Sequence, residues 1–160
     1  MNIAQINIAH MKAPLNSDLM KEFRDFLAPV NLLAESSPGF IWRYQDGNAR
    51  DFEYPWEDDM LIVNMSVWDN VETLENFTYK TVHSYFLQSR RKWFNQLGHP
   101  HSVLWWIEEG HIPTLVEAKA KLTLFEKSGP TKDAFRFAQV GLFKPSFQRF
   151  AYLNGSPTPS

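Results

Sequence analysis

The residues of this chain best suited to chemistry fall at spacings that could bring them together. In the segment Leu61 to Trp68, the side chains Ile62, Asn64, Ser66 and Trp68 fall at every second position, and near the start Gln5 and Asn7 do the same. Side chains two apart on a strand share a face. That face would carry amides, a hydroxyl and an indole, which are groups that orient an uncharged or weakly acidic ligand by hydrogen bonds and stacking. Further on, His83, Leu87, Arg90 and Phe94 are spaced by four, three and four residues and would share one side of a helix. An imidazole at His83 can ligate iron or carry a proton, and a packed or surface histidine is the alternative reading. Arg90 with Arg91 could grip a carboxylate or propionate, against the alternative of solvated charges near a helix end.

Other constellations carry less. His99-Pro100-His101 and His111 invite a metal reading, yet an apolar stretch separates His101 from His111 and no carboxylate is placed beside them. Glu57-Asp58-Asp59 and Glu108-Glu109 are adjacent acids, an arrangement typical of hydrated loops rather than of acid/base pairs. Trp105 and Trp106 must point to opposite sides of a strand. One ring then belongs to the core and the other to an interface or cavity. Trp106 is the candidate ligand contact, with the choice between the two left open by the sequence. No nucleophile elbow, phosphate loop or dinucleotide fingerprint is present.

Composition narrows the class. The 160 residues suit one domain, here set at 1–153 with a disordered tail at 154–160, and would bury roughly 70% of the surface of the unfolded chain. A net charge of -2 gives no field for nucleic acid, and the absence of cysteine removes disulfides, thiol catalysis and thiolate metal sites. Thirteen Phe, six Trp and five Tyr are a heavy aromatic load, suited to a core, a partner surface or a pocket for a flat ligand. No window reaches the ~20 apolar residues of a membrane span and the first residues lack a signal pattern. A cytoplasmic protein is the expectation.

The elements that must position these groups follow from periodicity. Residues 3 to 10 alternate as a strand. Asn16-Ser17-Asp18 caps a helix from Ser17 to Ala34 that Pro29 bends. A strand at Phe40 to Gln45 ends at the turn signal Asp46-Gly47-Asn48, and a third strand runs from Met60 to Trp68. Asp69 and Glu72 have the spacing of a capping box for a long helix reaching about Leu97, with a break in phase around Thr78 to Thr81. Ser102 to Ile107 is a fourth strand, and Thr114 with Glu117 caps a third helix that Gly129-Pro130 closes. This order, β-α-β-β-α-β-α, is the split β-α-β pattern with an added C-terminal helix, an α+β ferredoxin-like sandwich with a four-stranded antiparallel sheet. The apolar row Leu61, Val63, Met65 and Val67 is expected to meet the helices, leaving the amide row for a twin subunit or a ligand.

Read as blocks, IAQINIAHMKAP, SPGFIWRYQD, LIVNMSVWDNVETLENFTY, HSYFLQSRRKWF, LWWIEEGHIPTLVEA and GPTKDAFRF resemble, over residues 3 to 138, the bacterial family known as domain of unknown function 3291. The resemblance implies a dimeric α+β barrel, in which two ferredoxin-like sheets close across a two-fold axis. That superfamily includes antibiotic-biosynthesis monooxygenases without a cofactor and haem-degrading monooxygenases. The family is also similar to spheroidene monooxygenase. By that likeness Asn7, Trp68 and His83 are positions for a haem or polycyclic ligand.

Two functions follow as expectations. The first is a small monooxygenase-like enzyme that holds a flat hydrophobic substrate, or haem, in the barrel cavity. Asn7 and Asn64 would be its hydrogen-bond donors, Trp42 and Trp68 its walls, and Ser66, Arg90 and Trp106 further contacts. His83 and Asn7 would be the catalytic pair, with His83 the iron ligand if haem is bound and no other metal expected. The second is a homodimer that binds a small hydrophobic or aromatic ligand without turnover. Whether the chain is an enzyme, and whether it uses haem or no cofactor, is open at this level.

Overall fold

The computed structural model describes residues 1–45, 54–82, 89–143 and 145. Strand β1, Asn2–Met11, is the centre of the sheet. Along one edge it pairs antiparallel with β3, Leu61–Trp68, from Ile3 opposite Trp68 to His10 opposite Leu61. Strand β2, Phe40–Arg43, extends the sheet beyond β3 with a bulge between Phe40 and Trp42. The other edge of β1 is shared. Strand β5, Ser102–Ile107, takes Asn2 to Asn7, and the two-residue β4, Phe94–Asn95, takes His10 and Met11. The result is an α+β arrangement with a five-stranded sheet in which every pairing is antiparallel.

The fifth strand corrects the sequence reading, which carried a helix through to Leu97. Helical backbone at 89–93 stops at Trp93 because tertiary contacts claim the next residues. The Lys12 amide donates to the Trp93 carbonyl at 2.8 Å, and the Phe94 ring meets Phe23 edge-on at 5.0 Å. Local helix propensity loses to pairing and ring packing. The phase break expected around Thr78 to Thr81 is present as a π-helical turn, Thr78–Val82, following helix α2, Val71–Phe77. The expected turn at Asp46 to Asn48 and the expected tail at 154–160 lie outside the described residues.

Two helix starts also differ. Helix α1 is Lys21–Glu35 rather than beginning at Ser17. The residues ahead of it form turns in which the Ser17 amide donates to the Pro14 carbonyl at 2.9 Å and the Lys21 amide to the Asp18 carbonyl at 3.2 Å. Arg24 locks them by donating from Nη1 to the Leu15 and Ser17 carbonyls. At α2 the cap is Asn70, one residue later than expected. Its Oδ1 accepts from the Thr73 amide at 2.9 Å, while Asp69 Oδ1 accepts from Asn70 Nδ2 and Thr73 Oγ1. Gly39 accommodates this corner at φ +82°, where a Cβ would collide with Asp69 and Thr73. Helix α3, Leu115–Ser128, starts at Thr114 as expected, with Thr114 Oγ1 accepting from the Glu117 amide at 3.1 Å.

The helices are not distributed as the sequence reading expected. Among the described helices, the continuous apolar row of Ala4, Ile6, Ile8, Met65, Val67, Val103, Trp105 and Ile107 packs against α3, through Leu115, Ala118 and Leu122, with Trp42, Tyr54 and Trp56 alongside. Helices α1 and α2 lie over the amide face. Val71 and Leu74 of α2 and Ala34 of α1 close one end of it on Ile3, Trp68, Leu104 and Phe135. Phe23 of α1 closes the other end with Met11, Met20 and Trp93. The physical reason is that this face is polar only at its middle. Its two ends present enough apolar surface to hold helices.

Candidate functional site

The pairing register builds the site. Antiparallel partners point to the same side, so Gln5 with Ser66 and Asn7 with Asn64 form adjacent rungs, flanked by the rung Ile3 with Trp68. On the other edge Asn7 stands opposite Ser102, and Ile3 opposite Trp106. The polar groups are wired to one another. Gln5 Nε2 donates to Asn64 Oδ1 at 2.6 Å and to Ser66 Oγ at 2.9 Å, and the buried Trp68 indole donates to the same Ser66 Oγ at 2.9 Å. Ser66 Oγ therefore accepts twice and keeps its own proton to donate. Asn64 spends its carbonyl oxygen and retains its amide protons. Asn7 is exposed and its carboxamide makes no hydrogen bond among the described residues.

Aromatic rings stand at both ends of this row. Trp68 stacks on Phe77 at 5.2 Å and meets Phe40 edge-on at 5.5 Å, while Trp93 and Phe94 pack against Phe23 at the far end. Chemically, the arrangement can orient a flat molecule carrying a carbonyl, phenol or amide by hydrogen bonds from Asn7 and Asn64. It offers no ionisable group. Proton transfer by a side chain of this row is therefore not available to it.

Of the sequence-predicted residues, Asn7, Asn64, Ser66, Trp68 and Trp106 share this face. The question of the two adjacent indoles is answered by register: Trp105 belongs to the apolar face and Trp106 to the amide face, where its Nε1 donates to the Phe143 carbonyl at 3.0 Å. Trp42 is on the opposite side, packed against the apolar cluster, and so cannot face Trp68 as a second wall. Arg90 points its guanidinium at His101, donating from Nη2 to Nε2 at 3.1 Å. His83 lies outside the described residues. The described histidines are engaged elsewhere. His111 bonds Glu117 at 2.9 Å, His99 donates to the Pro100 carbonyl at 3.1 Å, and His10 is held by Asn95 and Asp58. Among the described residues no group of three or more His, Cys, Asp or Glu could hold a metal ion.

The sequence reading missed His10. Asn95 Nδ2 donates to its Nδ1 at 3.0 Å, which places the ring proton on Nε2, facing Asp58 Oδ2 at 3.3 Å. Its partners come from elements far apart in the chain, and no spacing rule reports such a meeting. Asp58 borders a cleft of about 460 Å³ lined by Pro55, Trp56, Leu61, Leu97, His99 and Lys119. A second groove, of about 570 Å³, runs along β2 past Trp42 and the Arg43 to Glu35 ion pair at 2.7 Å.

The fold and this row define an α+β domain whose antiparallel sheet carries a networked amide face. The chain belongs to the family described as a domain of unknown function (DUF3291), whose model matches residues 2–149. Comparison with curated proteins and with solved structures gives no match. Among the described residues no helix is long and apolar enough to cross a membrane.

Proposed function

We propose that this chain is a ferredoxin-like domain that binds a small, flat, hydrophobic or aromatic molecule on its amide row, between the helices that close the two ends of that face, and works as a homodimer. The observation that carries the reading is the row Trp68, Ser66, Gln5, Asn64. Its internal hydrogen bonds fix its own groups and leave Asn7 and the Asn64 amide protons unspent beside aromatic rings. Strand order β2-β3-β1-β5 with antiparallel pairing supports the ferredoxin-like part. Exposed Leu32 and Leu33 of α1, with exposed Ile41 on the adjoining β2, support a partner surface. Asn7 and Asn64 are the hydrogen-bonding groups, and Ser66, Trp68 and Trp106 shape the site. Trp42 and Arg90 have no part in it.

A monooxygenase-like reaction is the second reading. It is favoured by Asn7 and Asn64, whose carboxamides can hold the oxyanion of an activated phenol or enol while oxygen attacks the ring. His83, the residue expected to ligate iron, lies outside the described residues, and the described histidines are engaged by Arg90, Asn95, Pro100 and Glu117 away from the amide row.

Native mass spectrometry of protein taken from its host, paired with thermal shift against 1-naphthol and anthraquinone, tests the binding reading. The expected result is a dimer mass and a raised midpoint that Asn7→Ala with Asn64→Ala removes. A monomer with an unmoved midpoint overturns it. Oxygen uptake with the same probes separates turnover from binding.

A further inference from the structure

Three cationic or imidazole side chains from three separate segments meet beside the start of β5, with no ion pair to an acid among the described residues. Arg90 comes from the helical stretch at 89–93, His101 from the residue preceding β5, and Arg136 from the segment after α3. Arg90 Nη2 donates to His101 Nε2 at 3.1 Å, so the proton of the neutral ring sits on Nδ1 as a further donor. Arg136 is held in place twice. Its Nε donates to the Ser102 carbonyl at 3.3 Å, and its guanidinium carbon lies 4.7 Å from the centre of the Phe125 ring. Both of its terminal nitrogens are left without a protein acceptor among the described residues.

Among the described residues the ion pairs engage Glu109, Asp58, Asp25, Glu35 and Glu117, and none of them involves Arg90 or Arg136. The His101 pKa is lowered by burial first and then by Arg90, Arg136 and His99, so the charge felt at this point is uniformly positive. Guanidinium groups fixed by packing and lacking a carboxylate are suited to bidentate recognition of an external oxyanion.

We propose that Arg90, His101 and Arg136 form a binding site for a small oxyanion, the carboxylate or phosphate group of a ligand. Arg136 supplies the fork held by Ser102 and Phe125, Arg90 the exposed one, and His101 a neutral donor between them. The site is independent of the amide-row reading and can stand if that reading fails.

Inorganic phosphate and benzoate are the two probes, titrated into the full chain at constant ionic strength set with chloride. The His101 ring protons are followed by NMR. Saturable shifts are expected with at least one probe, together with a rise of the His101 titration midpoint toward 6.5 as the bound anion offsets the arginines. The probe that binds tighter identifies the source as phosphate or carboxylate. Arg136→Gln and Arg90→Gln should each weaken binding about tenfold. Arg90 is exposed, so its variant keeps the test alive if Arg136→Gln fails to fold. Asn7→Ala should leave affinity for the anion unchanged. Equal shifts with chloride alone, or equal affinity in Arg90→Gln and the parent chain, overturn the proposal.

Discussion

The two faces of the sheet treat the same residue type in opposite ways. Trp105 and Trp68 are each 1% exposed, yet the Trp105 indole N–H finds no acceptor among the described residues, while that of Trp68 donates to Ser66 Oγ at 2.9 Å. The apolar face buries rings for area and tolerates an idle donor, a cost of about 1–3 kcal/mol offset by the burial of large side chains. The amide face connects its polar atoms. Gln5, Ser66 and Trp68 form one network, which leaves the Asn7 carboxamide, the Asn64 amide protons, the Gln5 carbonyl oxygen and the Ser66 hydroxyl proton unspent among the described residues. The groups left unspent at the centre of the row are the ones the proposed ligand would engage.

The comparison breaks most readily at the ends of the amide face. Phe135 has no exposed surface, contacts Trp106 and Phe143, and exchanges two backbone hydrogen bonds with Leu104 of β5. Phe135→Ala should cost about 3–5 kcal/mol in urea unfolding. Asn7→Ala, on the same face but at its centre, should stay within about 0.5 kcal/mol. If both substitutions proved equally damaging, the row would be structural and the ligand reading would fail.

A smaller effect sharpens the contrast between the indoles. Trp68→Phe leaves Ser66 one donor short in a buried setting and loosens the stack on Phe77. Trp105→Phe removes a donor that had no partner, so part of its packing loss is returned. The first should therefore be less stable than the second by about 1–2 kcal/mol, measured by the same denaturant series. Equal losses would mean that the hydrogen bond to Ser66 contributes nothing.

Alternation along β1 and β3 made the amide row legible from sequence, because strand geometry alone puts Asn7, Asn64, Ser66 and Trp68 on one side. The caps at Thr114 and, one residue away, at Asp69-Asn70 were legible for the same reason: they are local. What periodicity could not show was the covering of each face. Phe94 reads as helix until Met11 and Phe23 take it into a strand. Trp42 reads as a companion of Trp68 until the bulge in β2 and the register with Val67 place it on the other side. The meeting of Arg90, His101 and Arg136 depends on three segments docking at once, and the sequence has no local signature for it.

Acid should act on one face and spare the other. The Ile8 amide donates to the His101 carbonyl at 2.8 Å, which ties the cationic cluster to the end of the apolar row. The folded His101 pKa lies below the ordinary histidine value of 6.5, chiefly through burial and secondly through Arg90, Arg136 and His99. As pH falls the unfolded chain takes up this proton first. The stability owed to neutral His101 is thus complete above 6.5 and is lost as the pH drops through the lower folded value. Arg90→Gln removes one repelling charge, moves the folded pKa up and flattens that decline, which unfolding midpoints across pH will show. The amide row, made of Gln5, Asn7, Asn64, Ser66 and Trp68, has nothing to titrate, so probe affinity there should be level over about pH 5 to 8 while stability slopes. Affinity that follows the His101 midpoint would mean that the two regions are one site, since only a ligand touching both could transmit the proton from the cluster to the row.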